Sequence, residues 1–162
     1  DSKLQIPLES QVLRDTNVLI ATTEQAYQEK KKVLEEKGIN ILIIDQTHPN
    51  PPLSGREQSS FPPDKGELKG VSLPHLLQYL HKQNILSILV EGGSQVLGSF
   101  VDEKLVDKVY AFHAPIIIGG NNAISAIGGN GVEKVSDGLK LKDVVFKKFG
   151  DNILTSGYIN FF

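Results

Sequence analysis

The chain has 162 residues, of which 40% are apolar and 22% charged, a length and balance that fit one globular domain over residues 1–162. Cysteine is absent and the four histidines lack ligand spacing, which excludes a disulfide framework or a thiolate metal site and argues against any metal centre. The net charge of −2 with scattered Lys and Glu offers no basic stripe for nucleic acid, and no apolar run reaches the ~18 residues of a membrane span, so a soluble cytoplasmic protein with a small-molecule ligand is expected.

In chain order, Val18 to Thr23 is a β-branched and aliphatic run that reads as a strand, and Glu24 to Lys37 follows as a helix with Gly38 at its carboxyl end. Ile39 to Asp45 is almost wholly apolar, as a parallel strand covered on both faces should be. Strand, helix and strand imply a right-handed crossover. Residues 46–70 contain Pro49, Pro51, Pro52, Pro62 and Pro63 and little apolar content, so an irregular insertion loop is expected there. Arg56 and Lys65 within it are read as solvated and are not assigned to a site.

Ser72 to Gln83 carries Leu73, Leu76, Leu77 and Leu80 at helical spacing behind Ser72 as N-cap. It leads into Ser87 to Glu91, an expected buried strand that would complete a second crossover unit. Beyond Asp107 the pattern changes. Lys108 to Ala114, Leu139 to Phe149 and Asn152 to Phe161 are strand-like without long helices between them, so the carboxyl third should be antiparallel. The fold class is therefore α/β, with parallel strand–helix units followed by an antiparallel carboxyl-terminal hairpin.

The most informative segment is Ser87 to Phe100, in which a strand runs into Glu91, the pair Gly92-Gly93 and a helix. Glycine lets the backbone approach a ligand, and the free N–H groups of a first helical turn attract a phosphate. A nucleotide is the expected partner. The segment lacks the three-glycine spacing of a dinucleotide fingerprint and the lysine of a P-loop, and close packing alone can also place a diglycine at such a junction. Glu91, at the rim of a sheet, would be poorly solvated unless it meets a polar ligand, the competing role being a cap on the turn's own N–H groups. Elsewhere, His113 in an apolar strand reads as a hydrogen-bonded structural histidine, Gly119-Gly120 as a turn at positive φ, and Gly128-Gly129-Asn130-Gly131 as a flexible loop. Lys147 and Lys148 read as a solvated strand edge.

Further residues carry a resemblance. Leu89-Val90-Glu91-Gly92-Gly93, a helix, Leu105-Val106-Asp107, Ala114-Pro115-Ile116-Ile117-Ile118-Gly119-Gly120 and the closing hairpin from Gly150 to Ile159 together resemble the reductase domain of the bifunctional riboflavin-biosynthesis deaminase/reductase, which has a dihydrofolate-reductase-like fold. The similarity runs over nearly the whole chain and is weakest from Gln46 to Gly70. It implies NADPH-dependent reduction of 5-amino-6-(5-phosphoribosylamino)uracil to the ribitylamino compound, by hydride transfer from nicotinamide C4 to C1′ of the ring-opened sugar. It further implies that Glu91 binds substrate, and that Gly93, Ser94, Gln95, Val96, Leu97, Gly98 and Ser99 wrap the NADPH pyrophosphate. The N–H groups of Ser94, Gln95 and Val96 would act as donors, the Ser94 and Ser99 hydroxyls would be secondary, and Ser2 would touch the cofactor. No catalytic residue is assigned.

The resemblance also implies a homodimer, built partly through the apolar region from Tyr110 to Ile118. Because the chain opens at Asp1 and contains no methionine, it is expected to be a fragment that lacks the family's first strands, its substrate-pocket lysine and any deaminase domain. Two other readings compete: a non-catalytic nucleotide-binding or dimerisation module using the same turn, and another dihydrofolate-reductase-like reductase of a small substrate such as a pterin.

Overall fold

In the computed structural model, which describes residues 1–44, 70–120 and 122–159, β1 (Leu19–Thr22) pairs in parallel with β2 (Asn40–Ile43), Ile20 standing against Ile41. Alternation along β1 puts Ile20 and Thr22 on one face, and both are buried. The connecting helix α1 (Gln28–Glu36) begins later than Glu24. The Thr23 hydroxyl accepts the Gln25 N–H at 3.3 Å and the Thr23 carbonyl accepts that of Ala26 at 3.1 Å, so a local turn takes the donors that would have opened the helix.

The helix ends as the glycine requires. Gly38 lies at φ 82°, its N–H donates to Glu35 O at 2.9 Å, and the Ile39 N–H reaches back to Leu34 O at 3.1 Å. This is a Schellman ending, whose hydrophobic contact here joins the buried pair Leu34 and Ile39. Those two side chains, with Leu4, Leu13, Ile20 and Ala26, form the hydrophobic core, and Ile6, Leu8, Val18 and Ile41 pack around it.

The helix α2 (Leu73–Lys82) starts after Ser72, which occupies the N-cap without making a capping hydrogen bond, and has Pro74 in its first turn. It closes with Asn84 at φ 61° and an Ile85 N–H bond to Leu80 O at 3.0 Å, the same ending with asparagine in place of glycine. Ser87 to Glu91 does not become a strand: the run pairs with no segment among the described residues, and Leu89 is 74% exposed. An apolar run is a strand only when neighbouring segments accept its backbone groups, so no second crossover unit forms among the described residues. The expected loop over 46–70, with Arg56 and Lys65, lies outside the described residues apart from Gly70.

The chain divides into two units, Asp1–Ser87 and Ile88–Phe162. In the second, α3 (Ser94–Asp102) precedes an antiparallel sheet of β3 (Lys108–His113), β4 (Leu141–Phe149) and β5 (Asn152–Ile159), in the order β3-β5-β4. Phe149 pairs with Asn152 across a turn in which Gly150 has φ 58°, and a bulge interrupts β4 between Lys142 and Val145, where Asp143 has φ 50°. The antiparallel carboxyl third thus forms as expected, with β4 as an edge strand on which Lys147 and Lys148 are exposed.

On β3, Lys108 Nζ lies 5.0 Å from the Tyr110 ring centre and 4.7 Å from that of Tyr158, its cross-strand neighbour. Hydrogen bonds to the two tyrosines hold its pKa above the ordinary lysine value. His113, at the end of β3, is exposed and not enclosed in an apolar strand. Tyr110, Phe112 and Ile116 to Ile118 are exposed as well. Gly119 and Gly120 have φ of 63° and 91°, the positive-φ turn expected. Among the described residues no helix is long and apolar enough to cross a membrane.

Candidate cofactor-binding turn

The backbone enters α3 through Gly92, at φ 157°, and Gly93, the N-cap residue at φ −73° and ψ 165°. Any L-residue tolerates the latter conformation, and a Cβ on Gly93 would meet nothing within 4 Å. Neither strain nor packing among the described residues requires glycine here. What the missing side chain leaves is open access to the first helical turn, which is the property a bound group would use.

The donors of that turn are fewer than the sequence implies. The Gly93 carbonyl accepts the N–H of Val96 at 3.1 Å and that of Leu97 at 3.3 Å, so Val96 is not an open donor. The N–H groups left without intrahelical partners are those of Gly93, Ser94 and Gln95. No acidic residue stands in the first turn, so the positive end of the helix dipole is uncompensated from within the helix. The Ser99 hydroxyl donates to Gln95 O at 3.0 Å and is turned back on the helix. Ser94 and Leu97 are half-buried, whereas Gln95 and Val96 are exposed.

Gly98 has a structural role as well. It is buried, and a Cβ on it would stand 2.6 Å from the backbone N of Gly129 and nearer still to Gly128, so only glycine lets the Gly128-Gly129 backbone lie on α3. Gly128 N–H donates to Ser94 O at 2.8 Å, and Asn130 N–H donates to Asp102 Oδ2 at 2.9 Å. The sequence suggests for 128–131 a flexible glycine loop that closes over a ligand or connects strands; the signal of this docking is the coincidence of Gly98 with the later glycine cluster.

Glu91 is exposed, and no N–H of the turn donates to its carboxylate among the described residues. The expected poorly solvated rim position therefore does not arise, since Ser87 to Glu91 is not built into a sheet, and the capping role has no hydrogen bond behind it. The side chain stands two residues before the N-cap, ready to accept hydrogen bonds. Ser2 belongs to the first unit, where its carbonyl accepts the Thr23 hydroxyl at 2.8 Å and the Thr23 N–H at 3.4 Å. At the other end of α3, partial desolvation and then the neighbouring Asp102 carboxylate raise the pKa of Glu103 above the ordinary value.

Comparison with known proteins adds the following. The family model described as the RibD C-terminal domain matches residues 1–155. The chain is 31% identical over 143 residues to a 2,5-diamino-6-ribosylamino-4(3H)-pyrimidinone 5′-phosphate reductase of Aquifex aeolicus, covering 87% of this chain and 54% of that protein. It is 29% identical over 157 residues to the riboflavin biosynthesis protein RibD of Actinobacillus pleuropneumoniae, covering 95% and 36% respectively. The chain thus spans about half or less of the length of these relatives. Among solved structures, RibD of Acinetobacter baumannii shares the fold, with a TM-score of 0.71 at 20% identity, over 99% of this chain and 36% of that one.

Proposed function

Because this chain belongs to the RibD C-terminal domain family, we propose that it is the reductase part of a riboflavin-biosynthesis enzyme, with a dihydrofolate-reductase-like domain spanning residues 1–162. It uses NADPH to reduce 5-amino-6-(5-phosphoribosylamino)uracil to the ribitylamino compound. The observation that carries this reading is the open turn at Gly93, whose free N–H groups and unfilled Cβ space suit a diphosphate. Gly93, Ser94 and Gln95 donate from the backbone, Val96, Leu97 and Ser99 flank the group, and Gly98 holds the helix close to its neighbouring loop.

When bound, the cofactor supplies the hydride. The chain's own task is to hold the donor and acceptor carbons within about 3–3.5 Å and to exclude water. Glu91 serves the substrate, accepting hydrogen bonds from its sugar hydroxyls or ring donors; as an anion it does not lie on the pyrophosphate. A second copy of the chain is the proposed partner of the exposed region from Tyr110 to Ile118.

Loss of nicotinamide absorbance, followed in the full-length protein with the ribosylaminouracil phosphate and its 2-amino counterpart supplied in turn, tests the reading. Consumption of NADPH that depends on the uracil compound is expected. Consumption with neither compound overturns the reductase assignment, and consumption with the 2-amino compound alone corrects the substrate.

A further inference from the structure

The loop from Gly128 to Asn130 lies along α3, held near the first turn by Gly128 N–H on Ser94 O at 2.8 Å and near the last by Asn130 N–H on Asp102 Oδ2 at 2.9 Å. Ser94 and Asp102 are roughly 12 Å apart along a helix that rises 1.5 Å per residue, and because the two loop donors are two residues apart and reach at most about 7 Å, the Ser94 carbonyl and the Asp102 carboxylate grip the loop from its two ends. Contact between the two is close enough that Cβ atoms on Gly98 or Gly129 would overlap the Gly128 backbone or the Asp102 carboxylate respectively, and a Cβ on Gly128 would stand 3.1 Å from Ser94 O and 3.4 Å from Gln95 N.

Ser94 C=O and Gln95 N–H belong to one planar trans peptide unit and point in opposite directions. The helix gives that peptide unit its direction, and a donor fixed on the Ser94 oxygen from outside the helix restrains it there and polarises the Gln95 N–H. We propose that Asp102 is a positioning residue for the cofactor: by pinning Asn130 it keeps Gly128 on the Ser94 carbonyl, and so aims the Gln95 N–H at the diphosphate. The inference rests on the reading of the Gly93 turn given above.

The test compares NADPH affinity and turnover in the full-length protein for Asp102→Ala, Asp102→Asn and Gly93→Val. Asp102→Ala should weaken NADPH binding about five- to tenfold, the loss expected of one misdirected hydrogen bond, with kcat at saturating NADPH within about twofold. Asp102→Asn retains an acceptor oxygen and should restore affinity to within about twofold. If Asp102→Ala does not fold, Asn130→Pro removes the same bond from the loop side and should give the same loss. Unchanged NADPH affinity in folded Asp102→Ala or Asn130→Pro, while Gly93→Val loses affinity, overturns the positioning role alone. Unchanged affinity in Gly93→Val overturns the turn reading beneath it. A lower melting temperature with normal affinity per folded molecule assigns Asp102 to stability and likewise overturns the proposal.

Discussion

At the scale of single residues, Glu91 and Glu103 are two carboxylates with opposite expectations. Glu91 is exposed and bound to nothing among the described residues, so Glu91→Gln should leave thermal stability and NADPH affinity unchanged. It should lower kcat/KM for the pyrimidine substrate by about ten- to hundredfold, the worth of roughly 1.5–3 kcal/mol for a hydrogen bond to a charged group; a variant that melts early yet turns over normally would make Glu91 a structural cap. Glu103 has a raised pKa, caused first by desolvation and then by Asp102. A carboxyl whose folded pKa is raised binds its proton more tightly in the native state. Its contribution to stability is fully present below the unfolded pKa and is lost as pH rises through the folded one. Glu103→Gln should therefore melt higher than the native protein at neutral pH, and the difference should vanish as pH falls below the ordinary carboxylate range; a gain that persists unchanged in acid would contradict the assignment. The start of α3 behind Gly93 was legible in the sequence because a helix start is a local feature, whereas the rim position expected of Glu91 was not, since it presumed a strand pairing. The loss of Val96 as a donor and the role of Asp102 were not, since both depend on which acceptor the fold brings near a given N–H.

At the scale of elements, helix ends were the better-read features and the buried strand the worst. Gly38 after α1 was legible because a left-handed residue at a helix terminus is a local demand, and the structure places it at φ 82°. A Cβ there would touch Thr16 Cγ2 at an ordinary 3.5 Å, so Gly38→Ala costs backbone conformation alone. It should destabilise the first unit by about 1–2 kcal/mol, measured by denaturant unfolding. No loss of stability would show that the Schellman ending is dispensable. Ser87 to Glu91 shows the opposite case: its composition suits a central parallel strand, but pairing belongs to a partner segment, and none of the described residues supplies one. The β4–β5 hairpin was legible because Gly150-Asp151 marks its own turn.

At the scale of the molecule, the parallel pair β1–β2 and the antiparallel sheet β3-β5-β4 lie in different units, and the apolar run from Ile85 to Val90 crosses the boundary between them. Mixed α/β architecture followed from alternating strand and helix patterns early in the chain and strand patterns alone at its end, whereas the division into units follows from contacts that no periodicity records. Family membership over residues 1–155 and the open turn before α3 motivate the proposal that Gly93 is where NADPH approaches the backbone. The most direct test is titration of the full-length protein and its Gly93→Val variant with NADPH, followed by nicotinamide fluorescence. A Cβ at Gly93 meets nothing within 4 Å among the described residues, so the variant should fold, with only the modest loss of stability that valine costs at an N-cap. Its affinity for NADPH should fall by roughly five- to hundredfold, corresponding to about 1–3 kcal/mol of lost donors and added bulk. Native affinity in the folded variant would contradict the account.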